Sequence, residues 1–203
     1  LSNDGDFIYV AAGTYSPTVT LSNGTTSDSK ENTFEIRSNV HIIGGYAENA
    51  QAGDQPDAKL YPTILSGQLS AGKARHVVAI TAPLADGKKV LLNGLTIKGG
   101  EAGGTGSVII NGASFSRAHG GGMIIGNTLA EIENCNIINN STNNHAAGMY
   151  VTERAVLTIK NSNISGNTAN IAASNGGGIW NDGSTIYIYN STINGNRIGG
   201  VGG

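Results

Sequence analysis

The chain has 203 residues, its formal net charge at pH 7 is −2, and only 13% of its residues are charged. This composition excludes an extended basic surface, so nucleic acid is not an expected partner. Glycine contributes 31 residues, and asparagine, serine and threonine separate short apolar runs. Because glycine and asparagine accept positive φ angles at low cost, this pattern is typical of many short strands joined by tight turns.

The N-terminal part of the chain contains apolar segments that predict strands separated by turn signals. These segments are FIYVAAGTY at 7–15, FEIRSNVHIIGGY at 34–46, PTILSG at 62–67 and HVVAI at 76–80. Two further stretches, 47–61 and 99–118, hold few alternating apolar residues. We expect both stretches to form exposed loops that leave the body of the fold.

From residue 90 onward the sequence is more regular, and one eight-residue phrase occurs three times. The phrase reads ENCNIINN at 133–140, KNSNISGN at 160–167 and YNSTINGN at 189–196, which are 27 and then 29 positions apart. Apolar and polar residues alternate through each phrase, as in a strand with one buried face. A phrase that recurs at a near-constant period indicates a repeat architecture rather than a catalytic motif.

A second signature of small residues precedes each phrase. It reads GGGM at 120–123, AAGM at 146–149 and GGGI at 176–179. Each unit of 26–30 residues therefore holds about three short strands and three turns. We predict an all-β parallel β-helix, a solenoid of roughly seven or eight coils. It would form a single domain over 1–203, with looser coils over 1–90 and regular repeats over 90–203.

Asparagines recur at fixed places in these repeats. The alternation of apolar residues steps by one position at Gly94, Asn134, Asn161 and Asn190, where a corner would join two strands. An asparagine accepts a bent backbone there and hydrogen-bonds its neighbours. The predicted structural ladders consist of these three corner asparagines and of those that end the phrase, Asn140, Asn167 and Asn196.

Both ends of the sequence bear on this prediction. The last coil would present Ile186, Ile188 and Ile193 on an open apolar face, and the first residues lead directly into a strand. Stacked repeats need polar caps for solubility. We therefore expect the chain to be a piece of a longer protein, or to stack on a partner.

The acidic residues give no catalytic pattern. The fourteen Asp and Glu residues are scattered, and the outward pair Glu131 and Glu133 is followed in the next repeat by Thr158 and Lys160. Polysaccharide lyases and hydrolases use clustered carboxylates, often with calcium or a basic residue. We therefore expect no enzymatic activity, with a polysaccharide lyase or hydrolase as the alternative.

The histidines and the single cysteine also have structural interpretations. His119 and His145 both precede the small-residue signature, 26 positions apart, so they are expected on adjacent coils. Two histidines could hold a metal ion, but polar turn residues are the favoured interpretation, and no metal site is predicted. Cys135 stands where the next repeats have serine, which is typical of a small buried filler.

One row of aromatic residues suggests a ligand-binding face. If Met123, Met149 and Ile179 point inward, their neighbours Ile124, Tyr150 and Trp180 point outward. Tyr187 and Tyr189 would be outward on the next strand. Aromatic rings in a row stack on sugars or anchor a protein partner. The candidate ligand-binding residues are Tyr150, Trp180, Tyr187 and Tyr189, and the alternative is that a loop or a neighbouring domain covers them.

The paired signatures resemble a known repeat family. They are similar to the GGA-aliphatic and FxxN repeats of chlamydial polymorphic outer-membrane proteins, with isoleucine in place of the frequent phenylalanine; the matching segments are 121–123, 147–149 and 177–179, and 137–140, 164–167 and 193–196. Three N-terminal segments resemble large β-helix surface proteins of Bacteroidota, namely 8–18, 39–49 and 62–67. The resemblance implies a right-handed single-stranded parallel β-helix of the pectin-lyase-like fold.

The same resemblance implies a secreted or surface-displayed protein without a cofactor. We expect a non-catalytic extracellular rod of a bacterial adhesin-like protein, at the cell surface or outer membrane, that displays loops for binding. Its partner would be a protein or glycan at the cell surface, or neighbouring coils or domains of the same protein. The alternative is a carbohydrate-active or glycan-binding protein of the pectin-lyase fold. No apolar run is long enough for a direct membrane span.

Overall fold

The computed structural model describes residues 2–21, 28–110, 113–199 and 201–202. Within these ranges the chain is all-β, and its only helical element is the three-residue 3-10 turn Ser29–Glu31. The strands of the first half are β1 (Phe7–Ala11), β2 (Gly13–Tyr15), β3 (Phe34–Ile36), β4 (His41–Tyr46), β5 (Thr63–Ser66), β6 (Gln68–Leu69), β7 (Gly72–Lys73), β8 (Val78–Ile80), β9 (Val90–Asn93), β10 (Leu95–Lys98), β11 (Glu101–Ala102), β12 (Ser107–Ile110) and β13 (Ala113–Ser116).

The second half repeats a shorter cycle of strands. They are β14 (Met123–Gly126), β15 (Leu129–Glu133), β16 (Asn136–Ile138), β17 (Ser141–Thr142), β18 (Met149–Thr152), β19 (Val156–Lys160), β20 (Asn163–Ser165), β21 (Thr168–Ala169), β22 (Ile179–Asn181), β23 (Thr185–Tyr189), β24 (Thr192–Asn194), β25 (Arg197–Ile198) and β26 (Val201–Gly202). In the first 80 residues, β1 to β5 and β8 lie within the segments predicted from the sequence, whereas the short strands β6 and β7 were not predicted.

Three large sheets, all parallel, organise these strands. Sheet A has the order β1-β4-β9-β15-β19-β23, sheet B has β2-β5-β10-β16-β20-β24, and sheet C has β22-β18-β14-β8-β3. A fourth set of two-residue strands, β11-β17-β21-β25, is also parallel and ends on the antiparallel β26. The sequence predicted about three strands in each repeat and missed this short fourth one.

The chain visits the sheets in a fixed cycle. From β14 onward it passes through sheet C, sheet A, sheet B and the short fourth sheet, and then returns to sheet C one position along. Sheets A and B each have six strands in the described residues. Six strands are fewer than the seven or eight coils estimated from the sequence, and the segments at 47–61 and 99–118 add no strand to these two sheets.

The core lies between the three sheets and consists of side-chain columns in matching register. One column in sheet A contains Leu92, Ile132, Ile159 and Ile188. Sheet B contributes a column of Ile97, Ile137, Ile164 and Ile193, and sheet C contributes Val78, Met123, Met149 and Ile179. All are buried except those on the last strands. Burial of each such side chain stabilises the fold by about 1.5–3 kcal/mol.

The corners between sheets A and B explain the recurring step in the alternation. Gly94, Asn134, Asn161 and Asn190 all have positive φ angles, between 48° and 69°. Each amide continues the stacking, since Asn134 N donates to Lys160 O and Asn161 N donates to Tyr189 O, both at 3.1 Å. Glycine and asparagine tolerate this left-handed conformation better than other residues.

The stretch 99–118 was predicted to be an exposed loop, but the structure shows strands there and buried side chains. It contains β11 and the antiparallel hairpin β12–β13, in which Val108 pairs with Phe115. Val108, Ile110 and Phe115 are buried. The apolar residues of this stretch alternate over only one short run on each side of the turn, which is why the sequence pattern was weak. The other predicted loop, 47–61, contains no strand and is mostly exposed.

Candidate functional site

The predicted aromatic row lies on the outer side of sheet C. Tyr150 on β18 is the register partner of both Ile124 on β14 and Trp180 on β22. The rings of Tyr150 and Trp180 are stacked, with centroids 4.9 Å apart and an angle of 28° between their planes. The sequence therefore identified the row and its spacing.

The exposure predicted for this row is wrong for two of its members. Ile124 is fully buried and Tyr150 is only 6% exposed. They pack with Val108, Ile110 and Phe115 of the hairpin in a second apolar cluster, and Trp180, which is partly buried, lies against it. We call the outer side of sheet C the covered face and the hairpin β12–β13 its cover. The alternative of a covering loop is the one observed, so Tyr150 has little surface for a ligand.

Two histidines complete the covered face near Trp180. The ring centroids of His119 and His145 are 5.1 Å apart, and each ring contacts Trp180 at 4.9 and 4.6 Å. Burial, with the neighbouring His145, lowers the pKa of His119 to about 4. Burial also raises the pKa of Tyr150 to about 12, and its hydroxyl donates to Asp182 Oδ2 at 2.9 Å. At neutral pH both side chains are uncharged.

This cluster is poorly suited to a metal ion. His145 Nδ1 accepts a hydrogen bond from Asn175 N at 2.7 Å, so that nitrogen is already occupied. His119 Nδ1 is buried without a hydrogen-bond partner. In the part of the chain that the structure describes, no group of three or more His, Cys, Asp or Glu residues is arranged to hold a metal. The adjacent positions of the two histidines, expected from the sequence, are observed.

A buried ion network attaches the cover to the rest of the fold. Glu31 is buried, and its Oε1 accepts from Arg75 Nη1 at 2.9 Å and from Arg117 Nε at 2.8 Å. Arg75 also binds Asp28 Oδ2 at 2.8 Å, and Arg117 Nη1 donates to Ser107 O at 3.0 Å. The network joins the 3-10 turn, the segment between β7 and β8, and both ends of the hairpin. Its arginines and carboxylates neutralise one another, so it holds the cover in place.

The asparagines that end the phrase form a hydrogen-bonded ladder. Asn140 Nδ2 donates to Asn167 Oδ1 at 3.0 Å, and Asn167 Nδ2 donates to Asn196 Oδ1 at 2.9 Å. Asn167 Oδ1 also accepts from Asn140 N, and Asn196 Oδ1 also accepts from Asn167 N. The Nδ2 atom of each asparagine also donates to the carbonyl oxygen of an isoleucine in the preceding repeat, namely Ile97, Ile137 and Ile164. All three side chains are buried. These amides satisfy one another inside the fold, so they are not available to a ligand.

The small-residue signature packs against this ladder. A Cβ atom added to Gly122 would lie 2.7 Å from Asn140 Nδ2, and one added to Gly178 would lie 2.8 Å from Asn196 Nδ2. At Gly148 the corresponding distance to Asn167 Nδ2 is 3.1 Å. The small-residue signature and the phrase that ends in asparagine therefore pack against each other, because the buried asparagine amide leaves room only for a glycine opposite it.

The corner asparagines behave differently from the ladder. Asn134, Asn161 and Asn190 stack through their backbones, and their side chains are exposed. Among the described residues no hydrogen bond joins these three side chains, and Asn134 Nδ2 instead donates to Asn93 Oδ1 at 3.0 Å. They form a column of corners, and the amide ladder consists of Asn140, Asn167 and Asn196 alone.

The outward carboxylates of sheet A are engaged by lysines. Glu131 lies between Lys89 and Lys160, and Lys160 Nζ donates to Glu131 Oε1 at 2.7 Å. Burial raises the pKa of Glu131, but the hydrogen bonds from the two lysines outweigh it and hold the pKa below its usual value. Glu131 is therefore ionised at neutral pH, which does not favour a general acid at this position.

Cys135 is fully buried, and burial raises the pKa of its thiol to about 12. The thiol donates to Glu133 O at 3.1 Å in the interior. A protonated, buried thiol is a poor nucleophile and metal ligand. Its environment agrees with the interpretation of a small filler.

The outer side of sheet A, which we call the open face, carries exposed aromatic rings. Tyr187 and Tyr189 on β23 are 49% and 52% exposed, as expected for outward residues. At the opposite edge, Phe7 and Tyr9 on β1 are also exposed, and the sequence reasoning missed them as candidates. The alternation in FIYVA places these two rings opposite Ile8, and this was the available signal.

A groove of about 850 Å³ adjoins the β1 edge of the open face. Tyr9, Ile43 and Tyr46 line one side of it, and residues 47–56 line the other. Its size is within the range of small-molecule binding sites. Of the surfaces described, it is the one where exposed aromatic rings and a cavity coincide.

The chain was compared with models of protein families, with curated proteins and with solved structures, and none of them matches. In the described residues no helix has the length and apolar character needed to cross a membrane.

Proposed function

We propose that the parallel sheets form a right-handed single-stranded parallel β-helix, and that this rod is a non-catalytic part of a bacterial surface or secreted adhesin-like protein. Its role is to hold exposed surfaces for binding to a protein or glycan at the cell surface. The observation that carries the proposal is the buried ladder of Asn140, Asn167 and Asn196. The most repeated polar residues of the chain stabilise stacking, and stacking is what a rod requires.

The state of the titratable groups supports a non-catalytic role. His76 is buried and His119 is partly buried, and both have pKa values lowered to about 4. Glu31 and Glu131 lie in ion pairs with arginine and lysine. General acid–base catalysis needs a group that titrates near the working pH and reaches the substrate. The pKa values of His76 and His119 lie well below neutral pH, and Glu31 and Glu131 are engaged in ion pairs, so these side chains do not supply such a group.

The resemblance of the repeats to surface proteins supports the location at the cell surface. The pairing of a glycine-rich signature with a phrase ending in asparagine now has a physical basis, because Gly122 and Asn140 pack together. A fold analogy by itself does not determine a function, so the location needs its own experiment.

Two measurements test the proposal. The purified chain is incubated with polygalacturonate and alginate, with and without calcium, and turnover is followed by the ultraviolet absorbance of unsaturated products and by reducing ends. We expect no turnover; turnover that Glu131→Gln abolishes would contradict the non-catalytic role. Antibodies against the chain should also label intact cells of the source organism. Labelling only after permeabilisation would contradict display at the surface.

A further inference from the structure

The groove beside β1 has a wall of aromatic rings. Tyr9 and Tyr46 are in edge-to-face contact with centroids 5.3 Å apart, and Phe7 continues the row, stacked 6.2 Å from Tyr9. Tyr9 is 61% exposed and Phe7 is 55% exposed. Large exposed rings beside a cavity are typical of a surface that binds a ligand.

The opposite wall is a loop that is already held in shape. Its base is closed by Asp57 N, which donates to Gly45 O at 2.7 Å, and its tip by Gln51 N, which donates to Asp54 Oδ2 at 2.8 Å. At its base a Cβ on Gly45 would lie 2.8 Å from the backbone of Ala58, so the loop packs tightly against β4. A pre-organised wall lowers the entropy lost on binding.

The charge of the groove restricts its ligand. Glu48 and Asp54 contribute carboxylates to the lining, together with the amides of Gln51, Gln55 and Asn93. The described lining residues include no lysine or arginine. Carboxylate and amide oxygens accept hydrogen bonds from hydroxyl groups, whereas they repel other carboxylates. The groove therefore favours neutral sugars over polyuronates.

We infer that this groove binds neutral oligosaccharide chains, with the exposed ring of Tyr9 stacking on a sugar ring, Tyr46 supporting that ring edge-on, and the loop 47–56 supplying hydrogen-bond acceptors. The inference rests on the proposed display function, because it names the class of ligand that the displayed surface binds. It assigns binding to the β1 edge of the open face rather than to the row of Tyr150 and Trp180.

The test is isothermal titration calorimetry of the whole chain with cellohexaose, xylohexaose and mannohexaose, and with hexagalacturonate as the anionic probe. We expect at least one neutral hexaose to bind and hexagalacturonate to bind at least tenfold more weakly. Tyr9→Ala should weaken binding about tenfold, while Tyr9→Phe should keep most of the affinity. Glu48→Gln should narrow the difference between neutral and anionic probes.

Tyr189→Ala is the matched control, because Tyr189 is 52% exposed and lies at the other edge of the same sheet. This variant should bind as the wild type does. The inference is overturned if no neutral hexaose binds, if hexagalacturonate binds best, or if Tyr189→Ala weakens binding as much as Tyr9→Ala. Cleavage of a bound hexaose with the same dependence on Tyr9 would support the groove and overturn the non-catalytic role, so the two failures are distinguishable.

Discussion

The covered face of sheet C and the open face of sheet A both carry outward aromatic residues but differ in their surroundings. On sheet C the row of Ile124, Tyr150 and Trp180 lies beneath the hairpin. On sheet A, Tyr9 and Tyr189 stand at the two edges without such a cover. An outward aromatic residue is therefore core or surface according to what the connecting segments do, and period-two alternation does not distinguish the two cases.

The largest expected effect comes from emptying the covered face. Phe115 is fully buried in the cover, so Phe115→Ala should lower the free energy of unfolding by about 4 kcal/mol. Phe7→Ala on the open face removes the same side chain from an exposed site and should change stability by less than about 0.5 kcal/mol. Urea unfolding of both variants measures the difference. Equal losses would show that the two faces are equally packed.

Removal of the attachment of the cover should have a somewhat smaller effect. Glu31→Gln leaves Arg75 and Arg117 without their shared carboxylate, and we expect a loss of about 3 kcal/mol in unfolding free energy. Glu101→Gln is the matched control, because its ion pair with Lys73 is nearly half exposed and contributes at most about 1 kcal/mol. Chemical denaturation compares them, and an unaffected Glu31→Gln variant would contradict the role of the network.

The titration of His76 should give a dependence of stability on pH. Its pKa is lowered from 6.5 to about 4, mainly by burial and to a smaller extent by the charges of Arg75, His119 and Arg117. The contact of its Nδ1 with Gly120 O at 3.0 Å opposes this shift. Below about pH 6.5, His76 is protonated in the unfolded chain but stays neutral in the folded chain. The free energy of unfolding therefore decreases as the pH falls, until the pH reaches about 4.

Over the interval from about pH 7 to about pH 5 this group should contribute a loss of about 2 kcal/mol, since a full pH unit is worth about 1.4 kcal/mol. The urea midpoint measured across this range gives the slope, and His76→Gln should reduce it. If the urea midpoint of His76→Gln depends on pH as steeply as that of the wild type, the pH dependence comes from groups other than His76.

The smallest expected effect is spectroscopic. Trp180 is the only tryptophan and packs against His119, His145 and Tyr150, so acrylamide should quench its fluorescence weakly. A tryptophan moved to the open face by Tyr189→Trp in a Trp180→Phe background should be quenched several-fold more strongly. Phe115→Ala should raise the quenching of Trp180 towards the open-face value. Similar quenching of Trp180 in the wild type and of the introduced tryptophan in the double variant would argue against the cover.

Much of the framework was predictable because it depends on local sequence periodicity. The alternation around Ile132, Ile159 and Ile188 predicts strands with one buried face, and the recurrence of the phrase predicts their stacking. The asparagine at each corner is predictable because few residues tolerate φ near +50°. These features repeat, so each copy supports the interpretation of the others.

The cover and the groove were not predictable by the same reasoning. The hairpin is not part of the repeats, pairs antiparallel, and contributes Val108, Ile110 and Phe115 to the second cluster. Its sequence does contain Asn111-Gly112 between apolar residues, a common hairpin signal, although those two residues lie outside the described part. The groove depends on how residues 47–56 turn back over Ile43, and no sequence period encodes that path.

The ladder of Asn140, Asn167 and Asn196 has a consequence for fidelity. Each amide has its oxygen towards the donor of the preceding repeat, so all of them are oriented the same way along the stack. A slip of one residue between the second and third repeats would set Gly195 or Arg197 opposite Asn167. The buried amide of Asn167 would then lose its asparagine partner, at a cost of about 1–3 kcal/mol. The ladder therefore stabilises the correct register of the strands. A misaligned repeat loses the hydrogen bond at its own asparagine, so the error is destabilised where it occurs and not only further along the stack.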